Sequence, residues 1–198
     1  MADPSERPAE PLSAKDFIAW ALATEADAEL IDGRVVFMAS ERVAHAQARD
    51  VARAELDRAV RRAGASCATY SDSLSVRSDD RTVFVPDVML WCGSRLDRRT
   101  VFVDDAVMLV EVISDDSAAR DTNRKLRAYG RLPSFQAYLI VFPEDAMGWL
   151  HTPTDEGAFL TRIVRAGEPC PLRLDPPGLE LDIGAMILPP EPEDAAEA

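Results

Sequence analysis

Two carboxylates and a lysine stand in an order that could hydrolyse a phosphate ester. Asp87 follows Pro86 in an apolar run, Glu111 interrupts the run from Met108 to Ile113, and Lys125 comes twelve residues after that run ends. Carboxylates at the ends of adjacent strands can share a divalent cation, because Mg²⁺ takes hard oxygen ligands and keeps several waters. The backbone carbonyl of Val112 or Ile113 could supply another oxygen. Such a cation lowers the pKa of a coordinated water and screens a scissile phosphate. A lysine beside it can orient the water or meet the charge of the transition state.

The chain carries twenty arginines and only two lysines, Lys15 and Lys125. Lysine is a compact point donor whose pKa moves on burial, so a lysine kept against that bias asks for a chemical reason. Glu111 asks for one too, since an unpaired carboxylate inside an apolar strand is costly to bury. Each residue also has an ordinary reading. Asp87 could be bonded locally after its proline, and Lys125 could pair with Asp121 at i, i+4 on a solvated face. Glu29 could face solvent on a hairpin and His45 could be exposed on a helix; both are carried as auxiliary candidates. Asp72, Asp115 and Asp116 are nearby acids, and His151 reads as incidental on an edge strand.

The elements that would position these groups follow from periodicity. Ser13 is a candidate N-cap, with Asp16 three residues on, for a helix carrying Phe17, Trp20 and Ala21. Asp32-Gly33 predicts a hairpin between Ala28–Ile31 and Val35–Met38. Ser40 would cap a helix reaching about Ala63, whose positions Val43, Gln47, Val51, Ala54, Leu56 and Val60 mix helical spacings; Gly64 would end it. Strands are expected over Ser66–Tyr70, Leu74–Arg77, Val83–Trp91 and Ala106–Ile113, the last buried on both faces. Residues 114–131 read as a polar loop entering a helix that Gly130 and Pro133 end. Asp121, Lys125 and Tyr129 share its face. Gln136–Phe142 and Met147–Thr152 form a hairpin, with edge strands at Phe159–Val164 and Leu179–Ile187. The expected class is α/β, a mixed central sheet flanked by helices with additional terminal strands and hairpins. Its boundaries are a disordered lead-in over 1–12, one domain over 13–187 and an acidic disordered tail over 188–198.

Composition describes an ordinary globular chain of 198 residues, 47% hydrophobic and 29% charged. No apolar run approaches the roughly 18 residues of a membrane span. An odd number of cysteines without CxxC spacing argues against a disulfide framework or structural zinc, and predicts buried thiols in a reducing cytoplasm. The net charge of −13 opposes nucleic-acid binding. Cations nevertheless gather over residues 120–131, where Arg120, Arg124, Lys125, Arg127 and Arg131 face one acid, Asp121.

The segments Phe84-Val-Pro-Asp-Val-Met-Leu90, Leu109-Val-Glu-Val-Ile-Ser114 and Asp121-Thr-Asn-Arg-Lys-Leu-Arg-Ala-Tyr129 together resemble the Uma family of putative restriction endonucleases, within the PD-(D/E)XK nuclease superfamily. Ala28-Glu-Leu-Ile-Asp-Gly33, the following His45, and Gln136–Val141 also resemble that family, over roughly residues 13–187. The resemblance implies a restriction-endonuclease-like fold and a Mg²⁺-dependent endonuclease acting on DNA, with Mn²⁺ as a substitute. Asp87, Glu111 and Ile113 would hold the metal. The superfamily lysine usually stands two residues after the glutamate, where this chain has Ile113, and Lys125 on the next helix would be its equivalent. Glu29, His45, Asp121 and Tyr129 would assist, and Arg120, Arg124 and Arg127 would meet phosphate. This chain has Asp115-Asp116 where the family often has Ser-Pro-Ser. The alternatives are a non-catalytic interaction module on the same fold, with a homodimer as one form, and an RNA or nucleotide phosphodiesterase.

Overall fold

In the computed structural model, residues 8–72, 74–113 and 119–190 are described, with side chains for all but 119–121. The elements in order are α1 (Ala14–Thr24), β1 (Ala28–Ile31), β2 (Arg34–Phe37), α2 (Val43–Ala63), β3 (Cys67–Tyr70), β4 (Ser75–Asp79), β5 (Thr82–Phe84) and β6 (Val88–Cys92). There follow β7 (Phe102–Val103), β8 (Met108–Val112), α3 (Ala119–Tyr129), β9 (Ala137–Phe142), β10 (Met147–Pro153), β11 (Phe159–Arg165), β12 (Pro171–Leu174) and β13 (Leu179–Asp182).

Local signals acted as their chemistry requires. Ser13 Oγ accepts the Asp16 amide at 3.2 Å and so caps α1. Asp32 and Gly33 both adopt positive φ, 52° and 82°, in the two-residue turn between β1 and β2. Leu12, just ahead of α1, donates its amide to the Gly33 carbonyl at 2.8 Å. Helix α2 ends at Gly64, left-handed at φ 59°. Its N-cap is Arg42 rather than the expected Ser40, and no side chain caps it. Its buried stripe is Ala48, Ala52, Leu56 and Ala59, while the expected apolar position Val43 is exposed. The inward face is thus mostly alanine, packed with Leu56 against the core of the six-stranded sheet.

Strands form two principal sheets: β2-β1-β5-β4-β7, and a six-stranded mixed sheet β11-β10-β9-β8-β6-β3. Within the latter only β8 and β9 pair in parallel, and α3 lies between them in sequence, as a parallel connection needs. Alternation along β8 sends Met108, Val110 and Val112 toward α2 and the C-terminal strands, and Leu109 and Ile113 toward α3 and the five-stranded sheet. Glu111 shares the parity of the second set.

Several expectations are corrected. The run Val83–Trp91 is two strands in different sheets, β5 and β6. Pro86 has no N–H to give a ladder, and the chain crosses between sheets there. β7 and β12 carry too little periodicity to be read, and Leu179–Ile187 ends as strand at Asp182, whose carboxylate caps a 3₁₀ turn over Ile183–Met186. Cys67 and Cys92 face each other across β3 and β6 and are joined in a disulfide; Cys170 is a buried free thiol. Strand pairing over a separation of 25 residues has no spacing signature, so the inference from cysteine usage to a reducing compartment loses its basis. His151 is not on an edge: β10 lies between β9 and β11, and the ring is buried, 2.8 Å from Thr161 Oγ1 and stacked on Tyr138. Residues 1–7 and 191–198, within the expected lead-in and tail, and Ser114 to Ser117 lie outside the described residues. Among the described residues no helix is long and apolar enough to cross a membrane.

Candidate active site

β6 and β8 are antiparallel neighbours, so the start of one meets the end of the other. That pairing brings Asp87 and Glu111 to the same end of the sheet, where both line a recess of about 470 Å³ with Glu29, Glu41, His45 and Lys125. Asp87 is fixed by the sheet itself: its Oδ2 accepts the Val112 amide at 2.6 Å. Its other oxygen, Oδ1, lies 2.8 Å from His45 Nε2 in the first turn of α2.

Glu111 is held from helix α3. Lys125 Nζ donates to its Oε2 at 2.9 Å and the Tyr129 hydroxyl donates to its Oε1 at 2.8 Å. The i, i+4 spacing of Lys125 and Tyr129 puts both on the inward face. Lys125 is 9% exposed, not on a solvated face, and also lies 3.0 Å from Glu29 Oε1 and 5.4 Å from the Phe84 ring centre. Glu29, expected to face solvent, is buried in β1 and accepts the Val85 amide at 3.1 Å. Tyr129 is wedged edge-on between Phe84 and Tyr138. The side chains of Asp121 and Arg120 lie outside the described residues.

The electrostatics follow from two buried carboxyl groups on one lysine, with Asp87 near enough to Glu111 to act on it. Burial, aided by the charges of Asp87 and Glu29 and opposed by Lys125, pushes Glu111 up to about 8. Burial would lower Lys125, but Glu111 and Glu29 outweigh it and raise its pKa, so it stays a cation. Tyr129 is raised well above its usual value by burial and by Glu111, and stays a neutral donor. At His45, burial pulls downward, yet the bond to Asp87 and the charges of Asp87 and Glu41 raise it. Buried carboxyl groups with converging oxygens suit a divalent cation, whose charge would displace the proton that Glu111 holds in the metal-free protein.

Glu41 was not singled out in the sequence. Its Oε1 lies 3.3 Å from His45 Nε2, and its Oε2 accepts from Arg49 at 2.7 Å. The available signal was the i, i+4 pair Glu41–His45 at a helix start. Asp72, further out, pairs with Arg49. Ile113 lines the recess and donates its amide to Val141 at 2.8 Å. Arg124 and Arg127 are exposed and line a separate recess with Asp32 and Asp79; among the described residues, the arginine on the carboxylate recess is Arg42.

The family described as "Putative restriction endonuclease", Uma2, matches residues 14–184. A crystal structure of a putative nuclease belonging to DUF820 from Anabaena variabilis ATCC 29413 has the same fold. The two superpose with a TM-score of 0.66 at 18% identity, over 89% of this chain and 97% of that one. No curated protein matches. The chain belongs to the Uma2 family of putative restriction endonucleases.

Proposed function

We propose, from membership of this family, that the chain is a Mg²⁺-dependent endonuclease that hydrolyses DNA phosphodiester bonds, with Mn²⁺ as a substitute. The single observation that carries the reading is the meeting of Asp87, Glu111 and Lys125 in one recess, from the residue before β6, from β8 and from α3. In this reading Asp87, Glu111 and the Ile113 carbonyl hold the metal. When bound, that ion would acidify a water and screen the phosphate.

The remaining work falls to the chain itself. Lys125, kept protonated by Glu111 and Glu29, is a fixed cation and donor rather than a general base. Tyr129 and Lys125 hold the Glu111 carboxylate at one angle, and the Val112 amide does so for Asp87. Arg42 at the recess, and Arg120, Arg124 and Arg127 along α3, would meet the phosphate backbone, which positions the duplex without reading sequence.

Plasmid incubated with the protein and Mg²⁺ or Mn²⁺ should be nicked, and Glu111→Ala should abolish nicking. Identical behaviour of the two proteins across metals and across DNA and RNA substrates would refute the assignment. A second reading, a non-catalytic module on the same fold, draws support from the net charge of −13 and from Glu111 having both oxygens already engaged. Calorimetry with Mn²⁺ separates them: a module with no cation site shows no heat that Asp87→Ala removes.

A further inference from the structure

The recess has a second side that the Asp87–Glu111–Lys125 constellation does not use. Asp87 Oδ2 is spent on the Val112 amide, which leaves Oδ1 aimed at helix α2. Glu41 is built the same way: Oε2 is anchored by Arg49, which leaves Oε1 facing His45 Nε2. The three atoms Asp87 Oδ1, His45 Nε2 and Glu41 Oε1 lie within 4.8 Å of one another. Their separations are 2.8 Å for Asp87 to His45 and 3.3 Å for His45 to Glu41. Neighbouring ligands at about 2.1 Å around an octahedral cation lie roughly 3 Å apart, so a cation can replace the present contacts with little side-chain movement.

We propose that Glu41 and His45 are metal ligands, completing with Asp87 a cation position on the α2 side of the recess that takes a first-row transition ion such as Mn²⁺ in preference to Mg²⁺. The inference rests on the metal-dependent reading above and adds ligands from a helix that reading leaves unused. The preference comes from the donor set. Mg²⁺ is served by oxygen ligands and water, whereas an imidazole nitrogen suits transition ions. Two carboxylates keep the set hard enough for Mn²⁺, and each is pinned by a donor at its far oxygen, which limits the entropy lost when the ion arrives. Helix α2 thereby becomes part of the site, since His45 stands in its first turn and Glu41 just before it.

The test uses the full chain, Mn²⁺ and Mg²⁺ alone, and no substrate. Mn²⁺ binding is followed by the electron paramagnetic resonance of the free ion, and the bound ion is examined for nitrogen hyperfine coupling. The expected result is a Mn²⁺ site tighter than the Mg²⁺ site, with nitrogen coupling that His45→Gln removes. His45→Gln and Glu41→Gln should each weaken Mn²⁺ binding roughly tenfold or more, as loss of even an outer partner does. Glu41 is exposed, so its substitution leaves the core untouched and serves as the variant whose folding is not at risk. Mn²⁺ bound without nitrogen coupling, with affinity indifferent to both substitutions but lost in Asp87→Asn, overturns this proposal and leaves the metal-dependent reading standing. Absence of any Mn²⁺ binding overturns both.

Discussion

The Lys125 ammonium lies 2.9 Å from Glu111 Oε2 and 3.0 Å from Glu29 Oε1, so one cation on α3 ties the six-stranded sheet to the five-stranded one. The same contact that would serve chemistry therefore joins the two halves of the fold, and stability and activity should fail together when it is removed.

Lys125→Ala leaves the buried Glu29 without its counter-ion and Glu111 without a hydrogen-bond donor, and breaking a buried pair in that way costs about 3–5 kcal/mol. Urea unfolding at neutral pH should register a loss of that order. Lys125→Arg should not restore either stability or nicking, because a planar fork does not fill the place of a point ammonium between two carboxylates. Near-native stability in Lys125→Ala would mean the triad is not structural.

The metal-free protein should lose stability as pH rises. Glu111 has its folded pKa at about 8, above the ordinary 4.5, so the folded state holds that proton more tightly than the unfolded chain. Its contribution is present below pH 4.5 and lost as pH climbs toward 8. His45 is also raised, and its contribution is present below 6.5 and lost as pH rises through its folded value, which is the same sign. Glu111→Gln, in EDTA, should gain on wild type as pH increases from 5 to about 8.5, by about 2–4 °C in Tm per kcal/mol. A difference between the two proteins that stays flat over this window would refute the assignment of the proton.

If DNA enters at the carboxylates, Arg42 should matter more than Arg124 or Arg127, which line a different recess. Arg42→Ala should weaken DNA binding and reduce the slope of log K against log salt by about 0.9, the value for one phosphate contact. Equal effects at Arg42 and Arg124, measured by fluorescence anisotropy across salt concentrations, would place the duplex along α3 instead.

Reduction of Cys67–Cys92 should lower Tm without unfolding the protein. The bridge closes a loop of 25 residues, a length for which removal typically costs about 2–4 kcal/mol. A Cys67→Ala, Cys92→Ala double variant should begin at the reduced Tm and ignore dithiothreitol. A wild-type Tm indifferent to reductant would show that the bridge contributes nothing.

What could be read without the structure was whatever has a local period or a fixed order. The cap at Ser13, the turn at Asp32-Gly33, the end of α2 at Gly64 and the strand-to-helix order from Glu111 to Lys125 all depend on interactions within a few residues. The placing of Lys125 and Tyr129 on one helix face, and of Glu111 on a doubly buried strand, follows from the same short periods. The mixed α/β class was legible for that reason.

The tertiary structure alone decided which distant groups meet. Glu29 reaches Lys125 across 96 positions, His45 reaches Asp87 across 42, and Cys67 reaches Cys92 across 25. Those meetings depend on which strands pair, on the crossing of the chain between sheets at Pro86, and on the side of the sheet that α2 covers with its alanines. Such choices are settled by summed burial and the closing of long loops, terms to which no single residue spacing corresponds. The chemistry proposed for Asp87, Glu111 and Lys125 was therefore suggested by their types and order. Glu29 and His45 were auxiliary candidates in the sequence, but which groups they bond, and the place of Glu41 beside His45, came only with the packing.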